Sequence, residues 1–185
     1  MSQMCPVWVG YLLASPVRKL FQNPEKILAP FTREGMTVLD VGCAMGFFSL
    51  PAARLVGEGG KVVCIDCQEK MLKNLRRRAQ KAGVEQRIET RMCTSDDLMT
   101  ADLKDGVDMA LAVAMVHEVN DPHRLLRQIS GTVKPDGIFY VAEPLGHVSV
   151  EEVEKTREII QQEGFRLLES HRSRRLYGMY FKKVA

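Results

Sequence analysis

Residues 37–46 read TVLDVGCAMG, an apolar run that leads into a loop with glycine at both ends. The β-branched and aliphatic residues of 37–41 predict a short strand that is buried on both faces. A helix is predicted directly after the loop, over 47–56. A strand, a glycine turn and a helix in this order are typical of an open α/β sheet, whose ligands lie beyond the carboxyl ends of the strands.

Strand and helix patterns alternate from this stretch onward. Strands are predicted at 61–66, 87–92, 107–113 and 138–142. Between them the sequence predicts a helix at 69–82, a short helix after Ser95, a helix starting at Asp121 and Pro122, and a turn at 134–137. This alternation predicts parallel strands joined by right-handed crossovers, with helices on both faces of the sheet.

The pattern changes at the end of the chain. After a predicted helix at 150–162, two strands at 165–169 and 176–181 are separated only by a short polar segment. So short a connection joins antiparallel neighbours. The predicted fold class is therefore α/β: a Rossmann-like, doubly wound, mostly parallel sheet of seven strands with a C-terminal antiparallel pair.

Length and composition fit one domain. The chain has 185 residues, of which 45% are hydrophobic and 26% charged, which is typical of a single globular unit. We divide it into an N-terminal helical lid segment at 1–33 and a Rossmann-like core at 34–185. A net charge of +3 is too small to indicate a nucleic-acid partner by itself.

The five cysteines predict reduced thiols. They are Cys5, Cys43, Cys64, Cys67 and Cys93. We expect a cytoplasmic protein without a membrane partner, since the sequence has neither a convincing secretory leader nor a run of about 18 to 20 apolar residues. The spacing of Cys64 and Cys67 is that of a redox or metal pair, but Cys64 lies inside a predicted strand, whereas reactive pairs stand at helix starts.

The glycine loop differs from the dinucleotide fingerprint G-x-G-x-x-G. That motif would place glycines at the positions of Ala44 and Phe47, so a pyrophosphate cradle is poorly supported. The antiparallel C-terminal pair also disfavours a nicotinamide oxidoreductase.

Residues 38–46 resemble the first motif of class I S-adenosylmethionine-dependent methyltransferases, an acidic residue followed by G-x-G-x-G. The resemblance extends from Gly35 to the C-terminal strand pair and includes an acid, Asp66, at the end of the second strand and the KPDG turn at 134–137. One departure is Ala44 in place of the middle glycine, which the loop tolerates if this residue keeps a negative φ.

The resemblance implies S-adenosyl-L-methionine as methyl donor and S-adenosyl-L-homocysteine as product. It assigns Asp66 to the ribose hydroxyls, Cys67 to the face of the adenine, and Thr94 or Asp96 to its exocyclic amine. Further implied cofactor residues are Asp40, Gly42, Cys43, Ala44, Gly46, Ser95 and the carbonyl of Ala112 or Val113. Two alternatives remain from capping preferences: Asp66 as N-cap of the helix at Glu69, and Ser95 as cap of its short helix. Methyl transfer needs no metal.

His117 is the candidate catalytic residue. It is the only imidazole in the segment 114–121, which follows the fourth strand and corresponds to the acceptor side in the family. A histidine takes a proton from an oxygen, nitrogen or sulfur acceptor near neutral pH. The alternative is that His117 and Glu118 only limit the space of the pocket, or that they form an ion pair on the surface.

The acceptor is predicted from the N-terminal segment. Residues 5–13, with Phe21 and Phe31, are rich in large apolar groups and predict a lid over a small, partly apolar acceptor. Packing of the same groups on the sheet is the alternative interpretation.

Three competing functions stay open. RNA is the second choice of acceptor because basic residues are frequent between 70 and 91 and between 172 and 175, although such runs usually form a solvated helix face. A catalytically inactive S-adenosylmethionine-binding protein is an alternative because of Ala44. A third is a soft metalloid acceptor held by Cys5 and Cys43.

Overall fold

The computed structural model describes residues 22–173 and 176–184. A seven-stranded sheet runs through it in the order β3-β2-β1-β4-β5-β7-β6. The strands are β1 (Thr37–Val41), β2 (Lys61–Asp66), β3 (Ile88–Met92), β4 (Val107–Val113), β5 (Val133–Pro144), β6 (Phe165–Arg172) and β7 (Leu176–Lys183). Only β7 runs antiparallel to its neighbours, β5 and β6. The predicted fold class is confirmed.

Helices cover both faces of this sheet, as predicted. The described α-helices are α1 (Pro24–Leu28), α2 (Ser49–Leu55), α3 (Glu69–Lys81), α4 (Pro122–Thr132) and α5 (Val150–Gln162). One apolar core lies under α4 and α5, and a second lies under α1, α2 and α3. None of these described helices is both long enough and apolar enough to cross a membrane.

The alternation of β1 shows how the sequence builds these two cores. Leu39 and Val41 enter the core under α4 and α5, while Val38 enters the core under the other helices. Because β1 pairs with both β2 and β4, the strand order reverses beside it. This reversal is the position at which sheets of this class bind ligands.

Two local predictions were wrong. No α-helix starts at Ser95: the segment 94–98 is a loop in which the Thr94 hydroxyl accepts the N–H groups of Asp96 and Asp97 at 3.3 and 3.0 Å, and the next helical turn is the 3₁₀ segment Ala101–Leu103. The predicted turn at 134–137 lies within β5, where the register with β4 shifts. There Asp136 has a φ of +65°, so the turn residues form an irregularity within the strand instead of preceding it.

The described part of the N-terminal segment packs on the sheet. The ring of Phe31 lies 4.8 Å from that of Tyr180, and the Tyr180 hydroxyl donates to the carbonyl of Ile27 at 2.9 Å. Phe31, the one named apolar group of this segment that the structure describes, therefore packs on the sheet as in the alternative interpretation. The remainder of the predicted lid, residues 1–21 with Cys5 and Phe21, lies outside the described residues.

Candidate active site

A cavity of about 460 Å³ opens at the carboxyl ends of the central strands. Its wall comes from the loops after β1, β2, β3 and β4, with one side closed by α4. The volume lies within the range of about 300 to 1,000 Å³ found for small-molecule sites. The cavity therefore has the size and the position that the strand order predicts for a ligand site.

The loop after β1 is shaped by its two end glycines. Gly42 and Gly46 have φ values of +70° and +80°, a region that side chains disfavour. A Cβ on Gly42 would lie 2.9 Å from Cγ of Met115. Glycine at position 42 therefore also allows the loop after β4 to pack closely against the loop after β1.

Ala44 departs from the sequence-based expectation. Its φ is +45°, in the left-handed region, so the condition that the sequence analysis set for tolerating the methyl group, a negative φ, is not met. A left-handed backbone costs an L-residue about 1 to 2 kcal/mol. The Ala44 N–H donates to Oδ2 of Asp66 at 2.9 Å, and this hydrogen bond offsets part of the cost. The residue in the place of the middle glycine thus keeps a glycine-like conformation.

Asp66 is buried in the cavity wall at the end of β2. Its Oδ1 accepts the N–H of Gln68 at 2.8 Å, and its Oδ2 accepts that of Ala44. Burial raises the pKa of Asp66, while the two N–H donors act in the opposite direction. The N-cap of α3 is Gln68 and has no side-chain capping bond, so the interpretation of Asp66 as a helix cap was wrong.

Asp40 and the first turn of α2 close the bottom of the glycine loop. Asp40 is buried, and its Oδ2 accepts the hydroxyl of Ser49 at 2.5 Å. Ser49 is itself fully buried at the start of α2. This bond joins β1 to the helix that follows the loop.

Three of the four described cysteines line the cavity. These are Cys43, Cys67 and Cys93, whereas Cys64 is buried within β2. All four are free thiols. Burial raises the pKa of Cys67, and it raises that of Cys93 to about 11. Thiolates are thus scarce at neutral pH, which disfavours redox chemistry.

The structure contains no site for a metal within its described part: no group of three or more His, Cys, Asp or Glu side chains there is arranged to hold an ion. The metalloid alternative requires Cys5, which falls outside the described residues. Of Cys5 and Cys43, the structure describes only Cys43, which lies in the cavity wall.

The loop after β3 brings Thr94, Ser95 and Asp96 to the cavity. The Ser95 hydroxyl donates to Oδ2 of Asp96 at 3.1 Å and caps no helix. At the end of β4, Val113 lines the cavity, whereas Ala112 is fully buried and is not among the lining residues. Of the two carbonyls considered from the sequence, only that of Val113 belongs to a residue of the wall.

His117 is held by a buried carboxylate. Its Nδ1 lies 2.5 Å from Oε2 of Glu143, whose Oε1 accepts the N–H of Val116 at 3.0 Å. This hydrogen bond is the main reason that the pKa of His117 is raised. The imidazole is paired with Glu143, and the charge of Glu118 contributes further to its raised pKa.

His117 lies in a turn whose neighbouring residues line the cavity. The side chain is 26% exposed, but it is not a lining residue, whereas Met115 and Glu118 on either side are. A 3₁₀ turn at Val116–Glu118 produces this arrangement, because it directs successive side chains to different sides. The imidazole is thus adjacent to the wall and fixed at one nitrogen.

Comparison with known proteins decides the family. A family model described as a methyltransferase domain matches residues 32–174. The chain belongs to this methyltransferase-domain family. The match covers β1 to β6 and therefore every loop of the cavity described above.

Relatives of this methyltransferase domain include ubiquinone biosynthesis O-methyltransferases. The protein of Caulobacter vibrioides is 38% identical over 122 residues, which are 66% of this chain and 45% of that protein. The protein of Methylocella silvestris is 31% identical over 144 residues, or 77% and 54% of the two chains. The chain spans about half the length of these curated relatives.

A solved structure matches almost from end to end. The SAM-dependent methyltransferase from Aquifex aeolicus has a TM-score of 0.86 and 26% identity, with 98% of this chain and 100% of that chain covered. The similarity supports the methyltransferase domain as a structural unit.

Two residues of this methyltransferase domain were missed by the sequence analysis. Glu143 directly follows the apolar run 138–142 at the same sheet edge as Asp66, and this position after a strand was the available signal. Gln128 lies on α4 and lines the cavity, but nothing in its helical surroundings distinguishes it from a solvated glutamine.

Proposed function

We propose that this chain transfers a methyl group from S-adenosyl-L-methionine to a small-molecule acceptor and releases S-adenosyl-L-homocysteine. The observation that carries the proposal is the cavity between the left-handed turn at 42–46 and the buried carboxyl group of Asp66. Membership of the methyltransferase-domain family supports it.

The residues of the cavity fit this cofactor. A carboxylate has about four acceptor positions, of which backbone N–H groups use two at Asp66, so vicinal ribose hydroxyls can bind to the others. We assign Cys67 to the face of the adenine and Thr94 or Asp96 to its exocyclic amine. We count the carbonyl of Val113 among the other groups that surround the cofactor. When bound, the sulfonium supplies an electrophilic methyl group, and the protein orients it and excludes water.

On the acceptor side we assign His117 as general base. With Nδ1–H donated to Glu143, the basic nitrogen of the neutral ring is Nε2. A base oriented by a buried carboxylate is a common arrangement for proton abstraction. Met115 and Glu118, before and after His117 in the sequence, line the cavity, and we propose that the acceptor binds at this end of the wall, within reach of the imidazole.

A small neutral acceptor fits the wall better than RNA. Carboxyl groups dominate the polar lining: Asp40, Asp66, Asp96, Asp97, Glu118 and Asp121. Among the lining residues that the structure describes, Arg124 is the single Lys or Arg. Such a field opposes entry of a polyanion. By analogy with the named activity of the curated relatives, we propose a hydroxyl group as the methylated site.

Several of the basic side chains that suggested RNA are used within the fold. Arg76 donates to the Thr90 hydroxyl at 2.7 Å, Arg78 to the carbonyl of Met45 at 2.6 Å, and Arg87 to that of Ala53 at 3.1 Å. These bonds hold α3 and the following strand against the glycine loop and α2. Their role in packing weakens the argument for an RNA-binding face.

The conformation of Ala44 argues against the inactive-protein alternative in one respect, the shape of the loop, although the negative φ that the sequence analysis required is not met. The substitution of the middle glycine was its main support, and Ala44 adopts a glycine-like φ of +45°. We further propose a cytoplasmic location, where the described free thiols stay reduced.

Calorimetric titration with S-adenosyl-L-homocysteine tests the proposal. We expect the wild type to bind and Asp66→Asn to bind about tenfold more weakly, since the amide replaces a charged acceptor by a neutral one. Asp102→Asn, which changes an exposed acid paired with Arg91 away from the cavity, is the matched control. A wild-type protein that does not bind would overturn the proposal. If it binds, transfer of a labelled methyl group to a panel of phenols identifies the acceptor.

A further inference from the structure

Helix α4 holds the loop after β3 through the side chain of Gln128. The Oε1 atom of Gln128 accepts the N–H of Leu98 at 2.9 Å, and its Nε2 donates to the carbonyl of Asp96 at 3.1 Å. One carboxamide thus satisfies the two backbone groups that flank Asp97. A primary amide offers both a donor and an acceptor in one plane. The Gln128 side chain therefore makes the two backbone hydrogen bonds that a neighbouring strand would make in a sheet.

Other contacts of the loop point to the same function of α4. Arg124, one turn before Gln128, lies with Nη1 at 3.5 Å from Oδ1 of Asp96. Within the loop, the hydroxyl of Thr94 accepts the N–H of Asp97. The loop 94–98 is therefore held by one backbone hydrogen bond, from the Thr94 N–H to the Asp97 carbonyl at 3.0 Å, and by side chains. Of the two α4 side chains, Gln128 bonds its backbone and Arg124 contacts the side chain of Asp96.

The same helix begins at the acceptor side of the cavity. Asp121 is its N-cap, and Oδ1 of Asp121 accepts the N–H of Arg124 at 2.9 Å. The segment just before it, 118–120, lines the cavity together with Asp121. A rigid α4 thus connects the acceptor-side segment to the loop that carries Thr94 and Asp96.

We propose that Gln128 is a positioning residue that holds 94–98 in the shape that receives the nucleoside end of the methyl donor, and that α4 thereby couples this loop to the acceptor-side segment 115–121. The inference rests on the proposed function for the identity of the ligand. The clamp itself is a property of the protein without ligand.

Two substitutions separate the two hydrogen bonds. Gln128→Leu keeps the approximate size and removes both, whereas Gln128→Glu keeps an acceptor for Leu98 and loses the donor to the Asp96 carbonyl. Arg127→Gln is the matched control, because Arg127 is an exposed neighbour on α4 that faces Glu163 at 3.4 Å instead of the cavity. Thermal unfolding of each variant checks that the fold is kept.

Amide exchange of the ligand-free proteins tests the clamp directly. We expect the Leu98 amide to exchange at least about tenfold faster in Gln128→Leu than in the wild type, and to remain slow in Gln128→Glu and Arg127→Gln, because loss of one hydrogen bond changes local opening by about this factor. Equal exchange in Gln128→Leu and the wild type would overturn the clamp whether or not any ligand binds.

Ligand binding tests the coupling. We expect both Gln128 variants to bind S-adenosyl-L-homocysteine and 5′-methylthioadenosine about tenfold more weakly. The loss should be the same for the two ligands, because they share the 5′-thioadenosine part and differ only in the amino-acid part. In the wild type and Arg127→Gln, S-adenosyl-L-homocysteine should slow amide exchange in 115–121, and this protection should be lost in Gln128→Leu at saturating ligand. Unchanged affinity or retained protection would overturn the proposal. A wild type that binds neither ligand would overturn the proposed function and the coupling, but not the clamp.

Discussion

Nδ1 of His117 and Oε2 of Glu143 lie 2.5 Å apart and join the loop after β4 to the end of β5. The carboxylate is 1% exposed, and its second oxygen accepts the N–H of Val116. Glu143 therefore fixes both the ring of His117 and the backbone beside it. This relation makes the acceptor side of the domain testable by substitution.

Substitution of either member of the pair should separate turnover from cofactor affinity. We expect His117→Ala to lower kcat by about 100-fold or more, the usual contribution of a general base, and Glu143→Gln to lower it less, while S-adenosyl-L-homocysteine binds as in the wild type. Steady-state kinetics and calorimetry measure the two quantities. His123→Ala, an exposed histidine on α4, is the control, and unchanged kcat in His117→Ala would remove this residue from the mechanism.

The pair also predicts a dependence of stability on pH. The hydrogen bond to Glu143 raises the pKa of His117, so the stabilisation is fully present below the ordinary value of about 6.5 and is lost as pH rises through the folded-state pKa. We expect the difference in unfolding free energy between the wild type and His117→Gln to shrink from pH 5.5 to pH 9. The change in this difference between the two pH values should not exceed about 1 kcal/mol, because solvent at the exposed part of the imidazole screens the charges.

Urea unfolding at several pH values measures this difference. A gap between the two proteins that widens with rising pH would contradict the assigned direction. Turnover should instead rise with pH over the same range, since the imidazole acts as a base only when it is neutral.

Ala44→Gly should stabilise the domain. The substitution removes the strain of a left-handed alanine, about 1 to 2 kcal/mol, and adds entropy to the unfolded chain, about 0.5 to 1 kcal/mol. We therefore expect a gain in unfolding free energy of up to about 1 kcal/mol and little change in affinity for S-adenosyl-L-homocysteine. Denaturant unfolding measures the gain, and Ala52→Gly inside α2 should instead lose about 1 kcal/mol. A loss in both variants would show that Ala44 is not strained.

Cys67 provides a chemical probe of the nucleoside end. It is exposed in the cavity wall, whereas Cys43 and Cys64 are buried. Burial and the charge of Asp66 raise its pKa, so alkylation by iodoacetamide should be slow at pH 7 and accelerate toward pH 10 as thiolate forms. S-adenosyl-L-homocysteine should protect it. Peptide mass spectrometry follows the reaction, and labelling at the same rate with saturating ligand would contradict the placement of Cys67 at the adenine.

Local patterns were sufficient to predict most of the fold. The bounds of β1, β2, β4 and α5 agree with the sequence analysis, because apolar runs and turn residues act within a few positions. The C-terminal pair followed from the short connection between its strands. The end of β5 was predicted less well, since the extent of that strand depends on pairing with β7.

Contacts between distant positions were not predictable in this way. The φ of Ala44 depends on Asp66, 22 residues away; the partner of His117 lies 26 residues away; and the loop at 94–98 depends on Gln128, 30 residues from Leu98. Such pairs are created when the strands assemble. Many of the residues that line the cavity were therefore predictable, but Gln128 and Glu143 were missed, and the partners and backbone conformations required the structure.

The bond between Ala44 and Asp66 limits how nucleoside preference can be engineered. One carboxylate both supports the backbone of the glycine loop and occupies the position assigned to sugar recognition. A designer who replaces it to accept a different sugar also releases the turn that surrounds the donor. Library screens should therefore vary positions 44 and 66 together, because either one changed alone alters two properties at once.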